Sequence, residues 1–437
     1  MPHFSSTNLR GLAWIACAFA FCVIVFGAFV RLSNAGLSCP DWPTCYGHIT
    51  WPQRAHAIAK ADAAFPDRPY ETHKAWREQT HRFLAGTLGV LVLVLALAAS
   101  WRTRRRLLAV IAGIALIAIG IPLYMTQRYV PSSICAGIGE AILLACALFW
   151  RAAGWRRIAV LALAVVAFQA LLGMWTVTWL LKPIVVSGHL LGGMTTFALL
   201  AWIAWQLKWD QVRFSDHPDG VSLRTRKNES DPVSALFLAV VVGLALLACQ
   251  IFLGGWTSSN YAALACGIGP DSFPKCLGAW WPPVDFHQGF VLWRGIGVNF
   301  EGGILDAAAR SAIQIAHRFG ALVVFVYLAW LAHKVARAGL RGFGIALGVL
   351  LLTQVALGIS NVMLGLPLAI AVAHNGGAAL LLFTMVSLLA RTQASAPGVR
   401  AHATGCPELS ARQPLAAEAV LVERLDPARD NQQSTIR

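Results

Sequence analysis

Residues 169–189 read QALLGMWTVTWLLKPIVVSGH, and residues 354–374 read QVALGISNVMLGLPLAIAVAH. Gln169 and Gln354 open the two stretches, Gly173 and Gly358 follow four residues later, and His189 and His374 close them. Both stretches are apolar and both end on a histidine within hydrophobic surroundings. Two further pairs keep the same order. FGAFVRLSNAGLSC from Phe26 aligns with LGGWTSSNYAALAC from Leu253, each ending in a cysteine, and HRFLAG from His81 aligns with HRFGAL from His317. A repeat of this length, with its elements in one order, predicts two copies of a four-helix unit packed about a pseudo-two-fold axis.

Composition says what surrounds those units. The chain has 437 residues, of which 57% are hydrophobic and only 13% charged. That excludes an ordinary soluble domain and fits a lipid bilayer. Apolar stretches long enough to cross a hydrocarbon core of about 30 Å fall near 12–30, 82–100, 107–125, 133–150, 157–179, 185–206, 233–254, 312–333, 343–361 and 367–390. Eight belong to the repeat. The pair 107–125 and 133–150 fills an excess in the first half, a helical insertion at about 101–155. The expected class is an all-α polytopic membrane protein with an eight-helix core and about ten spans. An even number of added crossings leaves the topology of the repeat intact. The first span lacks a small-residue cleavage site and reads as a retained helix.

The net charge of +15 does not point to nucleic acid. Basic residues gather in short loops, WRTRRR at 101–106, RAAGWRR at 151–157, LRTRKN at 223–228 and HKVARAGLR at 333–341. By the positive-inside rule these loops and both termini are cytoplasmic, and the long loops 31–80 and 255–311 are outside. The expected domains are 1–206, a linker at 207–232, 233–391, and a disordered cytoplasmic tail at 392–437, which is poor in aromatics.

Twelve histidines are present, and four of them, His81, His189, His317 and His374, lie toward the outer ends of repeat helices. Ionisable groups inside a membrane are costly and read as functional. Single membrane histidines also serve as helix-packing contacts, but four at matching repeat positions favour a site. Two imidazoles facing each other across a bundle suit a haem iron. Zinc is less well served, since two histidines leave its usual coordination underfilled. Arg82 and Arg318 directly follow two of these histidines, where a guanidinium can meet a haem propionate, or simply snorkel to the interface.

Three residues before the first histidine stands Glu78; its repeat mate is Gln314. Positions three apart share a helix face, which predicts that Glu78 faces the cavity of His81. The substitution predicts chemistry in the first half and a permanent cofactor in the second. The plainer alternative is a solvated carboxylate near the start of its helix.

Of ten cysteines, Cys39 and Cys45 share one outer loop, and Cys266 and Cys276 share the other. Two structural disulfides are the plain reading on an oxidising side; a redox pair or free thiols are the alternatives. CYGH lacks the first cysteine of a covalent haem motif. Cys17, Cys22, Cys135, Cys146, Cys249 and Cys406 read as packing or tail residues.

RLSNAGLSCPDWPTCYG, EQTHR, QALLGMWTV, LGGWTSSNYAALAC, WWPP, IAHRFGALV and VAHNGGAALLLF together resemble the membrane-embedded haem A synthases. The resemblance covers about 12–391 apart from 101–155. It implies oxidation of a methyl group of haem O to the formyl group of haem A through the hydroxylated haem I, with oxygen drawn from water, for terminal oxidase biogenesis. It implies that His317 and His374 ligate a resident haem b, that His81 and His189 form the substrate-haem site, and that Glu78 is the catalytic carboxylate. It also implies a Cys39–Cys45 disulfide, haem O synthase and oxidase assembly factors as partners, and a bacterial-type inner membrane; a homo-oligomer is compatible with it. The insertion and the polar stretch YETHKAWR before Glu78 depart from the family pattern. Two other readings are a dihaem b-type electron-transfer cytochrome and a haem transporter or chaperone that docks through GAWWPP. The cytochrome reading commonly sets two ligands on one helix, whereas here each helix carries one.

Overall fold

The computed structural model describes residues 6–150, 154–215 and 233–395. Twelve α-helices occur in this part: α1 (Ser6–Leu32), α2 (Ala55–Ala64), α3 (Thr72–Ser100), α4 (Arg104–Met125), α5 (Tyr129–Leu148), α6 (Trp155–Thr178), α7 (Pro183–Ser215), α8 (Phe237–Ser259), α9 (Phe286–Gly289), α10 (Ala307–Arg337), α11 (Arg341–Met363) and α12 (Leu368–Ser395). Ten of them are long and apolar enough to cross a membrane, and they coincide with the ten spans expected. Among the described residues no strand forms; two isolated bridges, Cys45 with His48 and Cys276 with Ala279, close tight turns in the loops that follow α1 and α8. The tail beyond Ser395 and most of the expected linker lie outside the described residues, and the first part of that linker is the helical end of α7.

In the first half α1, α3, α6 and α7 pack in a ring, each against the next. In the second half α8, α10, α11 and α12 form the same ring in the same order. The halves meet through α7 with α8, α1 with α12, and α7 with α12. The first two contacts are repeat equivalents, as a two-fold arrangement requires. Arg31 donates to the main-chain oxygen of Ser258 at 2.9 Å. These two positions are mates in the aligned stretches FGAFVRLSNAGLSC and LGGWTSSNYAALAC, so the pseudo-axis runs beside them.

The repeat reaches into the turns. The α6–α7 turn carries Leu180 and Leu181 at φ 51 and 60, and the α11–α12 turn carries Gly365 and Leu366 at φ 73 and 62. Such left-handed positions disfavour side chains with a Cβ. The first half nevertheless keeps the shape with two leucines. Pro183 then opens α7, where a missing N–H removes no helical bond, and Asp306 caps α10 by accepting from the N–H of Ala309 at 2.7 Å. The insertion forms the hairpin α4–α5, which packs on α3 and α6 outside the first ring.

Candidate functional site

The four expected histidines sit on four different helices, His81 on α3, His189 on α7, His317 on α10 and His374 on α12. His81 and His189 lie within electrostatic reach of each other, and so do His317 and His374. Each of the four histidines is half-buried.

A glycine on the neighbouring helix seats each imidazole. A Cβ built on Gly27 of α1 would lie 2.7 Å from Cε1 of His81. The same distance is 3.2 Å from Gly173 of α6 to His189, 3.4 Å from Gly254 of α8 to His317, and 3.2 Å from Gly358 of α11 to His374. Small residues let helices approach closely in a membrane; at Gly27 a Cβ would clash with the ring, and at the other three glycines it would press against it. The Nδ1 atoms of His81, His189 and His374 are buried with no hydrogen-bond partner. Three glutamines reach the main chain of the histidines. Gln169 donates Nε2 to the oxygen of His189 at 2.7 Å, Gln250 to that of His317 at 3.0 Å, and Gln354 to that of His374 at 2.8 Å. The second amide hydrogen of Gln250 faces Nδ1 of His317 at 3.1 Å.

Among the described residues no cluster of three or more His, Cys, Asp or Glu side chains could hold a metal ion. That excludes a tetrahedral zinc site of protein ligands there. Paired imidazoles on facing helices, three of them with an unpartnered Nδ1, fit a group that brings its own equatorial ligands, as a haem does.

Glu78 is not a solvated helix-start carboxylate. It lies two turns into α3 and is 5% exposed. Its Oε1 takes a bond from Arg82 at 2.6 Å, and its Oε2 accepts from the Ser38 hydroxyl at 3.0 Å and the Cys39 N–H at 2.9 Å. The carboxylate is thus turned toward the loop ahead of α2, with three donors meeting its charge. Its mate Gln314 is also buried, and its Oε1 has no partner.

Both arginines hold the loops. Arg82 donates to the oxygens of Asp41 at 2.9 Å, Thr44 at 2.6 Å and Cys39 at 3.3 Å. Arg318 donates to Lys275 at 2.9 Å and Ser272 at 2.8 Å. In those loops Cys39 bonds Cys45 with Cα atoms 4.7 Å apart, and Cys266 bonds Cys276 at 4.4 Å. Asp41 gathers the first loop from inside, accepting from the hydroxyl of Thr44 and from the N–H groups of Tyr46 and Gly47.

Sequence reasoning missed several neighbours. Phe26 stacks on His81 with ring centroids 6.4 Å apart and also touches Phe29 and Trp76. The Arg77 guanidinium covers Phe29 at 5.0 Å. The repeat mates of Phe26, Trp76 and Arg77 are Leu253, Ala312 and Ile313, so this aromatic wall belongs to the first half alone. The alignment held that signal. Lys182, in the α6–α7 turn, is 1% exposed, and burial pushes its ammonium down from the usual lysine range. Its Nζ rests 3.3 Å from the centre of the Trp293 ring and has no hydrogen-bond partner. A single lysine in a short turn gives no sequence sign of that burial.

The model of the family described as cytochrome oxidase assembly protein matches residues 10–123 and 123–386. A heme A synthase of Shewanella oneidensis is 38% identical over 382 residues, 87% of this chain and 96% of its own length. Heme A synthases of Rhizorhabdus wittichii and Caulobacter vibrioides are each 25% identical, over 85% and 84% of this chain and 90% and 91% of theirs. A match across both halves, with a relative of this identity aligned almost end to end, means that the chain belongs to the cytochrome oxidase assembly protein family.

Proposed function

We propose that the protein is a membrane oxidoreductase of the haem A synthase type, converting haem O to haem A for terminal oxidase assembly. The observation that carries this is the pair of histidine sites, one in each ring, with all four imidazoles seated on glycines. Relatives named as heme A synthases align over both rings. His81 and His189 are assigned to the substrate haem, and His317 and His374 to a resident haem b. Haem b in that position supplies a one-electron acceptor inside the membrane layer. The protein lies in a bacterial-type inner membrane, with the loops of both disulfides outside and both termini in the cytoplasm.

The chemistry asks for two stages. A methyl group and one water become a hydroxymethyl group with release of two electrons and two protons, and the hydroxymethyl group becomes a formyl group with release of two more of each. Glu78 is the carboxylate placed to help. Arg82, Ser38 and the Cys39 N–H fix the carboxylate in place, where it is suited to stabilise positive charge developing on the macrocycle. A proton leaving the substrate has the same acceptor. Arg318, with guanidinium N–H groups beyond its two loop bonds, is suited to a propionate of the resident haem. Arg82 has only Nε uncommitted for the equivalent role.

A dihaem electron-transfer cytochrome would use similar ligands but would leave haem O unchanged, and a transporter would release it unchanged. Purified protein supplied with haem O and an electron acceptor, followed by haem extraction and mass analysis, separates the three. Formation of haem I and haem A is expected. Recovery of haem O alone, from protein whose resident haem is loaded, would overturn the assignment.

A further inference from the structure

Three of the four histidine sites share a second device, and one lacks it. Gln169, Gln250 and Gln354 each stand four residues before the glycine that seats the imidazole, so Gln and Gly share a helix face. Each glutamine bonds the main-chain oxygen of the histidine. A second glycine, three residues after the histidine, admits the amide. A Cβ at Gly192, Gly320 or Gly377 would lie 2.3 Å from Oε1 of Gln169, Gln250 or Gln354 respectively. The brace therefore needs both partners, a glutamine on one helix and a glycine on the other.

At His81 both are missing. The position four before Gly27 is Val23, and the position three after His81 is Leu84. Val23 is buried in the apolar core, against which Leu84 packs. Among the described residues no polar bond ties the His81 turn of α3 to α1. What holds this end of α3 is the Cys39–Cys45 loop, through Glu78 and Arg82. In the second half the corresponding end of α10 is held by its own loop, through Arg318 and Ser311, and also by Gln250.

We propose that Gln169, Gln250 and Gln354 are positioning residues that hold their histidines in register for a haem iron, and that the missing brace at Val23 and Leu84 makes His81 the exchangeable ligand. The idea rests on the reading of the two sites given above. It gives the division of labour a physical cause. A substrate haem must enter and its oxidised product must leave, so one axial ligand has to release iron on the timescale of turnover. A resident haem must do neither. With His189 braced and His81 free, the macrocycle exchanges by movement of the His81 turn while His189 keeps its place. Phe26, stacked on His81, moves or re-packs with it.

The test transplants the brace. In the double variant Val23→Gln/Leu84→Gly, protein carrying haem O in the first site and haem b in the second is mixed with excess apomyoglobin. The haem leaving each site is identified by mass. Loss of haem O is expected to slow by about tenfold or more, within the range by which outer partners of metal ligands change affinity, while loss of haem b is unchanged. The converse variant Gln354→Leu is expected to speed loss of haem b by a similar factor and to weaken its low-spin bis-imidazole spectrum. Gln354→Asn, which keeps the amide on a shorter stem, should fall between. Should Val23→Gln/Leu84→Gly fail to fold, Gln354→Leu decides alone. Unchanged release of haem b from folded Gln354→Leu, or of haem O from the folded double variant, overturns the inference. A wild-type protein that binds no haem O in a His81- and His189-dependent way would instead overturn the site assignment on which it rests.

Discussion

The Arg82 guanidinium holds the Glu78 carboxylate at 2.6 Å, one turn away on α3, and the two side chains are only 14% and 6% exposed. Both also grip the Cys39–Cys45 loop, Glu78 through Ser38 and the Cys39 N–H, Arg82 through three carbonyl oxygens. Taking one member from a buried pair strands the other charge, at a cost of roughly 3–5 kcal/mol, whereas removing both costs far less. Arg82→Met should therefore destabilise the protein strongly, and Arg82→Met/Glu78→Gln should recover much of the loss. Thermal unfolding of the two variants in the same detergent checks this. Additive losses would mean that the pair carries no coupling.

Activity and resident-haem content should part company at Glu78. In Glu78→Gln the proposed ligands His317 and His374 are untouched, so a resident haem held by them should stay. The amide keeps an oxygen for Arg82 but offers a donor where a full charge stood, so oxidation of haem O should fall by about 10²–10⁴, the scale of one general-base contribution. His317→Ala should lose the resident haem itself. Haem content and yields of haem I and haem A, measured on both variants, carry the comparison. Wild-type activity in Glu78→Gln would remove it from the chemistry.

All ten spans were legible in the sequence because uninterrupted apolar length is the strongest signal a membrane chain emits. The two rings were legible because QALLGMWTVTWLLKPIVVSGH returns almost in register as QVALGISNVMLGLPLAIAVAH. Side-chain direction was not. The spacing of Glu78 and His81 set them on one face, but the carboxylate is drawn to the loop by Ser38 and Cys39, which lie about forty residues earlier. Arg82 and Arg318 reach loop carbonyls for the same reason, since a tight disulfide turn leaves main-chain oxygens that need donors. Gln250 was readable in principle. It stands four residues before Gly254, as Gln169 does before Gly173, but its shared role appears only when the helices are laid side by side.

The glycine seats predict losses confined to one half. Gly173→Val places branched carbon where Cε1 of His189 already lies 3.2 Å from a single Cβ, and Gly358→Val does the same to His374. Each side chain would push its imidazole out of line. Gly358→Val should lose the resident haem while His81 and His189 still bind haem O. Gly173→Val should do the opposite. Site-resolved haem content checks both, and loss of both haems in either variant would show that the seats support the whole bundle rather than single sites.

Alkaline pH should loosen the loop between α1 and α3. Burial pushes the Tyr46 phenol up to about 12, with Asp62 adding to the rise. Its hydroxyl donates to the oxygen of Arg68 at 3.0 Å. An unfolded tyrosine ionises near pH ~10, so the protonated phenol stabilises the loop fully below that pH. The contribution is lost as pH rises from about 10 through about 12. Limited proteolysis of 37–70 across that interval should accelerate in the wild type. In Tyr46→Phe it should start faster, because the hydrogen bond is gone, but depend less on pH. Equal pH dependence in the two proteins would place the alkaline transition elsewhere.

The hairpin α4–α5 should be separable from both sites. Its helices cross at Gly113 and Gly139. A Cβ on Gly139 would lie 2.5 Å from the main-chain oxygen of Gly113 and 2.8 Å from Cγ1 of Ile117. The isoleucine can change rotamer, but a helical carbonyl cannot step aside, so even Gly139→Ala must part the helices. Gly139→Leu should part them further. Close approach at small residues supplies much of the attraction between membrane helices, because lipid is as apolar as the side chains it would replace. The hairpin should therefore open. It packs on α3 and α6 from outside the ring, and none of the four histidine seats lies on it. Hydrogen exchange across 104–148 should rise in Gly139→Leu, while haem content and the low-spin spectrum remain those of the wild type. A parallel loss of haem O binding would show instead that the insertion braces α3 and α6 around His81 and His189.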